Sequence, residues 1–260
     1  MSAPSYWKNK TYWIVGASAG LGEAIAKDLS AAGANLILSA RNDTALLRLS
    51  EGLPAPSRVA PCDVADLGSL EKTAQTIGEI DGLIFCAGIY QPLRAQNWST
   101  ADIVAMCDVN FTGAARTLSV AIPRLKQSER RHIVLIGSIA GMRGLPGAMG
   151  YGASKAGVMH LGQTLNADLG ADGWKIQVIN PGFIKTRLTD KNTFKMPFIM
   201  TPEEAAQRVR KAMQSSRFET YFPTRFAMMF RIMGLLPDKL YYPFIRLLVK
   251  PKPTELSKID

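Results

Sequence analysis

Short apolar, β-rich runs alternate with amphipathic stretches from Thr11 to Phe222, and this alternation restricts the fold more than any other feature of the chain. Thr11–Val15, Asn35–Ser39, Arg58–Cys62, Gly82–Cys86, His132–Ile136, Lys175–Ile179 and Glu219–Phe222 read as strands. Between them, helices are expected at Leu21–Ala32, Asp43–Ser50, Leu67–Ile77, Ala101 to about Leu125, and Tyr151 to Leu169. Ser99 or Thr100 would cap the fourth of these, and Thr201-Pro202-Glu203-Glu204 opens one more with a capping box and a proline at its first position. The strands are apolar almost throughout, as strands buried on both sides are. The pattern predicts an α/β fold of three layers, a mostly seven-stranded parallel sheet with helices on both faces. A chain of 260 residues can bury one sizeable core. We expect one catalytic domain over 1–222 and a helical extension over 223–260 packed on it.

Composition removes several classes. The N-terminal residues lack the apolar core of a signal peptide, and no run approaches the roughly 20 apolar residues of a membrane span. Cys62, Cys86 and Cys107 lie in apolar segments and are odd in number, which suits buried thiols in a reducing, cytoplasmic compartment. With only His132 and His160 as histidines, no metal site is expected. The net charge of +10 suits an anionic cofactor or an anionic membrane surface. Nucleic acid is not expected as a partner, because no recognition motif or aromatic-basic stacking surface is present.

Ligands of parallel sheets bind outside the carboxyl ends of the strands. Gly16-Ala17-Ser18-Ala19-Gly20-Leu21-Gly22 follows the first strand and opens the first helix. Its glycines permit close backbone approach, and the helix N-terminus offers free N–H groups to a phosphate. Tyr151 and Lys155 stand four apart on a helix, so an ammonium can sit near a phenol and lower its pKa. A proton donor and acceptor of that kind is what alcohol and carbonyl chemistry needs. The spacing alone decides nothing, since Tyr6 and Lys10 repeat it ahead of the first strand. Only the Tyr151 pair falls where ligands bind.

The glycine spacing, Asn110, Ser138, the Tyr151–Lys155 pair and Pro181-Gly182, in this order and over this length, resemble the short-chain dehydrogenase/reductase family in its roughly 250-residue form. The resemblance implies a Rossmann-type fold and NAD(P)-dependent interconversion of an alcohol and a carbonyl. It implies that Gly16, Ser18, Gly20, Leu21 and Gly22 cradle the cofactor, and that Asp63 and Val64 lie beside its adenine. Asp63 as a turn cap is the plainer alternative. Ala87-Gly88 resembles the end of the family's Asn-Asn-Ala-Gly segment, with Phe85-Cys86 where the asparagines would stand. Pro181, Gly182, Ile184 and Thr186 would hold the carboxamide. Tyr151 is implied as general acid or base and Lys155 as its tuning partner on the nicotinamide ribose. Ser138 would donate to the substrate oxygen, and Asn110 would hold a water in the proton relay. At the end of the second strand, Ser39-Ala40-Arg41-Asn42 offers no acid for ribose hydroxyls, whereas Arg41 and Ser18 can meet a 2′-phosphate. NADP(H) is therefore expected over NAD(H). The family also implies a homodimer or homotetramer.

Arg187–Met200 is apolar for a loop, with Phe194, Met196, Phe198, Ile199 and Met200, and stands where the family carries its substrate lid. With Met142, Leu145 and Met149 it points to an apolar or bulky small-molecule carbonyl substrate. Beyond Phe222, two apolar stretches, Pro223–Pro237 and Lys239–Val249, read as short helices. From Arg225 to Lys252 six basic residues stand against Asp238, a local net of +5. This extension fits core or oligomer packing, a wall at the substrate mouth, or peripheral contact with an anionic membrane through 223–250. The tail Lys250–Asp260 is expected to fray. Beside a catalytic reductase stand two other readings, a membrane-associated reductase of lipid-like carbonyls and a non-catalytic nucleotide-binding regulator.

Overall fold

The computed structural model describes residues 6–125, 128–192, 194 and 196–248. Met1–Ser5, Val249 and the tail Lys250–Asp260, with Lys250 and Lys252 of the basic segment, lie outside the described residues.

Seven strands form one parallel sheet: β1 (Thr11–Val15), β2 (Asn35–Ser39), β3 (Ser57–Val59), β4 (Gly82–Phe85), β5 (His132–Ile136), β6 (Lys175–Pro181) and β7 (Glu219–Phe222). Their order is β3-β2-β1-β4-β5-β6-β7, so the chain reverses its direction of travel across the sheet between β1 and β4. That is the crevice in which such sheets bind ligands. The helices are α1 (Gly20–Ala31), α2 (Asp43–Glu51), α3 (Leu67–Ile77), α4 (Thr100–Cys107), α5 (Gly113–Leu125), α6 (Met149–Leu169), α7 (Pro202–Gln214), α8 (Thr224–Gly234) and α9 (Asp238–Leu248). One core joins α1, α2 and α7 to a sheet face through Leu29, Leu46 and Val209. A second joins α3, α5 and α6 to the other face through Leu70, Leu118 and Val158. A third, smaller cluster belongs to α8 and α9, where Phe226, Phe230, Tyr241 and Ile245 pack with Ile139.

Local chemistry sets the boundaries. Thr201 Oγ1 accepts from Glu204 N (3.2 Å) while Glu204 Oε2 accepts from Thr201 N (3.0 Å), completing the capping box of α7. Ser99 Oγ caps α4 by accepting from Asp102 N. The third strand, Ser57–Val59, is shorter than Arg58–Cys62, although Ala60 N and Cys62 N still donate to Leu38 O and Ala40 O beyond it. Asp63 accordingly stands in a turn beyond the strand rather than at its end. The helix expected from Ala101 to Leu125 is broken by one π turn, Asp108–Thr112, between α4 and α5. There the buried Asn110 pairs with the backbone of Ile89, accepting from its N–H (2.8 Å) and donating to its carbonyl (3.0 Å). One extra residue in the turn accommodates that contact.

At the opposite end of the sheet, Gln177 Nε2 donates to the carbonyls of Ala212, Ser215 and Arg217, which leaves its Oε1 to accept from His132 Nε2 at 2.9 Å. His132 Nδ1 must then accept from Tyr12 Oη, also at 2.9 Å. The imidazole is fully buried and held neutral, its pKa pushed down to about 3 by burial first and by the Lys175 charge second. Below its unfolded value of about 6.5 the unfolded chain takes up a proton that the fold refuses. Stability from this group is therefore complete above about pH 6.5 and is lost at up to roughly 1.4 kcal/mol per pH unit as pH falls toward 3. Urea titrations at pH 7 and pH 5 should show that loss, and His132→Gln should flatten it; an equally steep fall in the variant would refute the assignment.

Candidate active site

The crevice between β1 and β4 is built by close backbone approach. Gly16 adopts φ +98°, and a Cβ there would lie 2.5 Å from Ala87 N. Its N–H and that of Ala17 both donate to Ser39 O, tying the glycine loop to β2. A Cβ on Gly22 would lie 2.0 Å from Gly16 O, so the loop closes on itself only without side chains. Ala19 is the N-cap of α1 and supplies no side-chain cap, so the first-turn N–H groups of α1 remain open to an anion. Across the crevice, Thr186 Cγ2 comes within 3.2 Å of where a Gly20 Cβ would be. A Cβ on Gly88 would meet Asn110 Oδ1 at 3.3 Å and Lys155 Nζ at 3.6 Å.

The structure thus brings Gly16, Gly20, Gly22, Ala87, Gly88, Asn110, Lys155 and Thr186 to one place. Ser18 and Leu21 are half-buried in the same loop, and Arg41 is exposed just beyond β2. Asp63 Oδ1 accepts from Ala65 N at 3.0 Å, so its carboxylate does cap a turn, and the buried Val64 packs where a Gly113 Cβ would stand. Gly182 N donates to Phe222 O, Ile184 is buried, and Thr189 Oγ1 donates to Ile184 O while accepting from Thr186 N. These residues fit a dinucleotide laid across the strand ends: open helical N–H groups at one end, and small residues beside a buried ammonium at the other.

Ser138 leaves the end of β5, and its Oγ accepts from Ala140 N at 3.1 Å, which leaves the hydroxyl proton free to donate elsewhere. Tyr151, in the first turn of α6, stacks edge-on against Tyr90 with ring centroids 5.0 Å apart. Lys155 is buried, and its Nζ donates to Ile136 O at 2.8 Å. The expected lowering of the phenol's pKa is not found. Burial pushes Tyr151 up, opposed by the Ser138 hydroxyl and reinforced by Cys86. The Lys155 ammonium, 5.9 Å from the ring centroid, is itself brought down to about 8 by burial. Cys86, where the family has an asparagine, stays a neutral thiol at neutral pH, its pKa raised to about 11 by burial. Of the cysteines, only Cys62 is fully buried; Cys86 and Cys107 are half-buried, and all are free thiols. Among the described residues no cluster could hold a metal ion.

Sequence reasoning missed several supporting side chains. Asn110 Nδ2 also donates to Ser154 Oγ, which donates to Tyr151 O, so the loop after β4 is wired to the tyrosine's own turn. Tyr90 Oη donates to Asn192 Oδ1 (2.7 Å) and Lys191 Nζ to Tyr90 O (2.8 Å), docking the Arg187–Met200 segment over the site. Reciprocal bonds Lys185 N to Met200 O and Met200 N to Phe183 O close that segment at its base. A cavity of about 170 Å3 opens onto Ser138 and Tyr151. Its walls include Leu145, Phe183, Phe194, Phe226, Phe230 and Ile245, so α8 and α9 complete it. Met142 and Met149 line the neighbouring groove instead, and Met200 belongs to the core. The Tyr6 pair carries no site: Tyr6 lies under the Arg130 guanidinium and Lys10 pairs with Asp81.

The sequence profile of the short chain dehydrogenase family matches residues 10–196. An uncharacterized oxidoreductase of Myxococcus xanthus is 32% identical over 240 residues, covering 89% of this chain and 94% of the relative. A 3-oxoacyl-(acyl-carrier-protein) reductase of Rickettsia prowazekii is 31% identical over 182 residues, 70% of this chain and 76% of the relative. Among solved structures, an alcohol dehydrogenase from the archaeon Thermococcus sibiricus shares the fold with a TM-score of 0.74 at 24% identity, over 82% of this chain and 95% of that one. A profile matched over most of the length and a relative 32% identical over 89% of this chain leave one conclusion: this chain belongs to the short-chain dehydrogenase/reductase family of NAD(P)-dependent oxidoreductases.

Proposed function

We propose that the chain is an NADP(H)-dependent reductase of bulky, apolar carbonyls, working as an alcohol dehydrogenase in the reverse direction. The observation that carries this reading is the cavity itself: Ser138 and Tyr151 are polar groups set in a wall of Leu, Phe and Ile side chains. Tyr151 gives a proton to the carbonyl oxygen in reduction and takes it back in oxidation. Ser138 donates its free hydroxyl proton to the same oxygen, where negative charge develops. Lys155 holds positive charge behind the phenol, and Asn110 anchors the loop and the helix turn between which a relay runs. NADP(H), when bound, supplies or receives the hydride. Gly16, Ser18, Gly20, Leu21 and Gly22 would hold its phosphates at the N-terminus of α1, Arg41 and Ser18 its 2′-phosphate, and Asp63 and Val64 its adenine. Ala87, Gly88, Pro181, Gly182, Ile184 and Thr186 would line its nicotinamide half, with Tyr151 and Lys155 on the ribose.

The Rickettsia relative is by name a reductase of a carbonyl on an acyl chain, which agrees with an apolar wall. Residues 223–248 belong in this reading to the same functional unit as 1–222, because α8 and α9 finish the cavity. A homodimer or homotetramer is proposed as the working form.

Thermal shifts at equal NADPH and NADH, followed by NADPH oxidation over a carbonyl panel, test the proposal together. NADPH should give the larger shift, since tighter binding to the native state raises the midpoint. Aryl and long-chain ketones should be turned over better than acetone. A larger shift with NADH would remove the role given to Arg41, and a preference for small polar carbonyls would remove the substrate class.

A further inference from the structure

Helices α8 and α9 each carry two apolar faces, and the core uses one of them. The inner face of α8 buries Phe226, Ala227, Phe230 and Met233, while Met228, Ile232 and Leu235 stand out at 49%, 60% and 86% exposure. The inner face of α9 buries Tyr241 and Ile245, while Leu240, Phe244 and Leu247 stand out at 58%, 47% and 62%. Both outer rows follow the spacing i, i+4, i+7, so each is one continuous stripe along its helix. Phe198 and Ile199 of the loop beside α8 are exposed as well, the Phe198 ring lying 6.1 Å from that of Phe226. An apolar surface of this extent on a water-soluble protein marks an interaction site.

Charge selects the partner. Arg225, Arg231, Lys239 and Arg246 are all exposed on these two helices. Asp238, their single acid, is held by Arg143 at 2.6 Å. The stripes are therefore rimmed by positive charge alone. A second copy of the chain applied about a twofold axis would set these basic rims against each other, which costs free energy. A surface both apolar and negatively charged satisfies both features at once. We propose that the outer faces of α8 and α9 dock the protein on an anionic lipid membrane. Each helix has 11 residues, about 16 Å of rise, so neither spans a bilayer and both suit the plane of the interface. Among the described residues no helix is long and apolar enough to cross a membrane. The inner faces of the same helices wall the cavity, so lipid and reaction site would be separated by a single layer of helix. The docking itself does not depend on the substrate class proposed above.

Co-sedimentation of the full chain with vesicles decides the matter. Binding is expected to vesicles of phosphatidylcholine with about one-third phosphatidylglycerol, not to phosphatidylcholine alone, and to weaken as salt rises. The triple variant Ile232→Glu, Leu235→Glu, Phe244→Glu changes only exposed positions and should remain in the supernatant. Lys239→Gln and Arg246→Gln, which leave the apolar stripes intact, should each weaken binding about fivefold. Failure of the wild-type chain to sediment with anionic vesicles would overturn the proposal, as would a lysine or arginine variant that binds like wild type. Light scattering that finds a dimer broken to monomer by the triple variant would give the faces to a second copy instead. None of these measurements reads catalysis, so their outcome stands apart from that of the carbonyl panel.

Discussion

Tyr151→Phe is expected to lower carbonyl reduction by about a thousandfold or more while NADPH binding and the thermal midpoint stay near wild type. The phenyl ring keeps the edge contact with Tyr90 and loses only the proton that the carbonyl oxygen must receive. Removing a positioned general acid costs typically 10²–10⁴ in rate, and its neighbours are not placed to substitute: Cys86 remains a thiol with its pKa near 11, the Tyr90 hydroxyl donates to Asn192, and the Lys155 ammonium donates to the Ile136 carbonyl. The pH profile of the wild type adds a signed test. Lys155, at about 8, is charged at neutral pH and loses its proton above that value. The free enzyme's kcat/KM for reduction should therefore decline above about pH 8. Steady-state kinetics with a bulky ketone would measure both effects, and turnover within tenfold of wild type in Tyr151→Phe would end the assignment.

Arg143→Ala is the second large effect. Arg143 leaves the loop between Ser138 and Tyr151 and holds the turn between α8 and α9. Its Nη1 donates to the carbonyls of Met233 (3.3 Å), Gly234 (2.9 Å) and Leu236 (2.8 Å), and its guanidinium lies 3.9 Å from the centroid of the Tyr241 ring. Gly234 O and Leu236 O, at and just beyond the end of α8, take their bonds from this guanidinium, whereas Met233 O also accepts from Leu236 N at 3.1 Å. The ion pair to Asp238 is the minor part, because Asp238 is 79% exposed and such pairs contribute at most about 1 kcal/mol. Losing the carbonyl bonds and the stack together is expected to cost about 3 kcal/mol. The loss should be local, with hydrogen exchange in 224–248 accelerating far more than in the sheet. Because these helices wall the cavity, KM for apolar substrates should rise more than kcat falls. Arg143→Lys should not rescue, since one ammonium cannot reproduce the planar fork and its stacking. Asp238→Asn should change stability by less than about 1 kcal/mol. Unaltered exchange in Arg143→Ala would sink the idea that one side chain ties the extension to the catalytic loop.

The strands were legible because their signal is local. Thr11–Val15, Asn35–Ser39 and His132–Ile136 are buried on both sides, so the apolar run and the element coincide. The Thr201 capping box was legible for the same reason, its partners lying three residues apart. What escaped depends on contacts distant in sequence. Asp108–Thr112 looks helical because its π turn answers to Ile89, 21 residues earlier. Tyr90 reads as a loop residue, yet it joins Tyr151 to Asn192. Spacing put an ammonium near a phenol at Tyr151, whereas the pKa follows from burial, which spacing does not report. In α8 and α9 the composition was plain, but apolar residues on two faces give no sign of which face the core takes.

The π turn carries a consequence for how this chain can change length. Successive residues of an α-helix are rotated by about 100°. A π turn holds one more residue than the α turn it replaces and winds less per residue, so the helices on either side keep their phase. Deleting one residue within 108–112 would restore regular helix and leave the inward row of α5, Ala114, Thr117, Leu118, Ala121 and Leu125, facing the second core. Such a deletion would remove the bulge that lets Asn110 reach the loop after β4. Straightening the turn at its present count would instead swing α5 out of register. The packing of α5 therefore tolerates the loss of the one bulge residue, whereas the site does not.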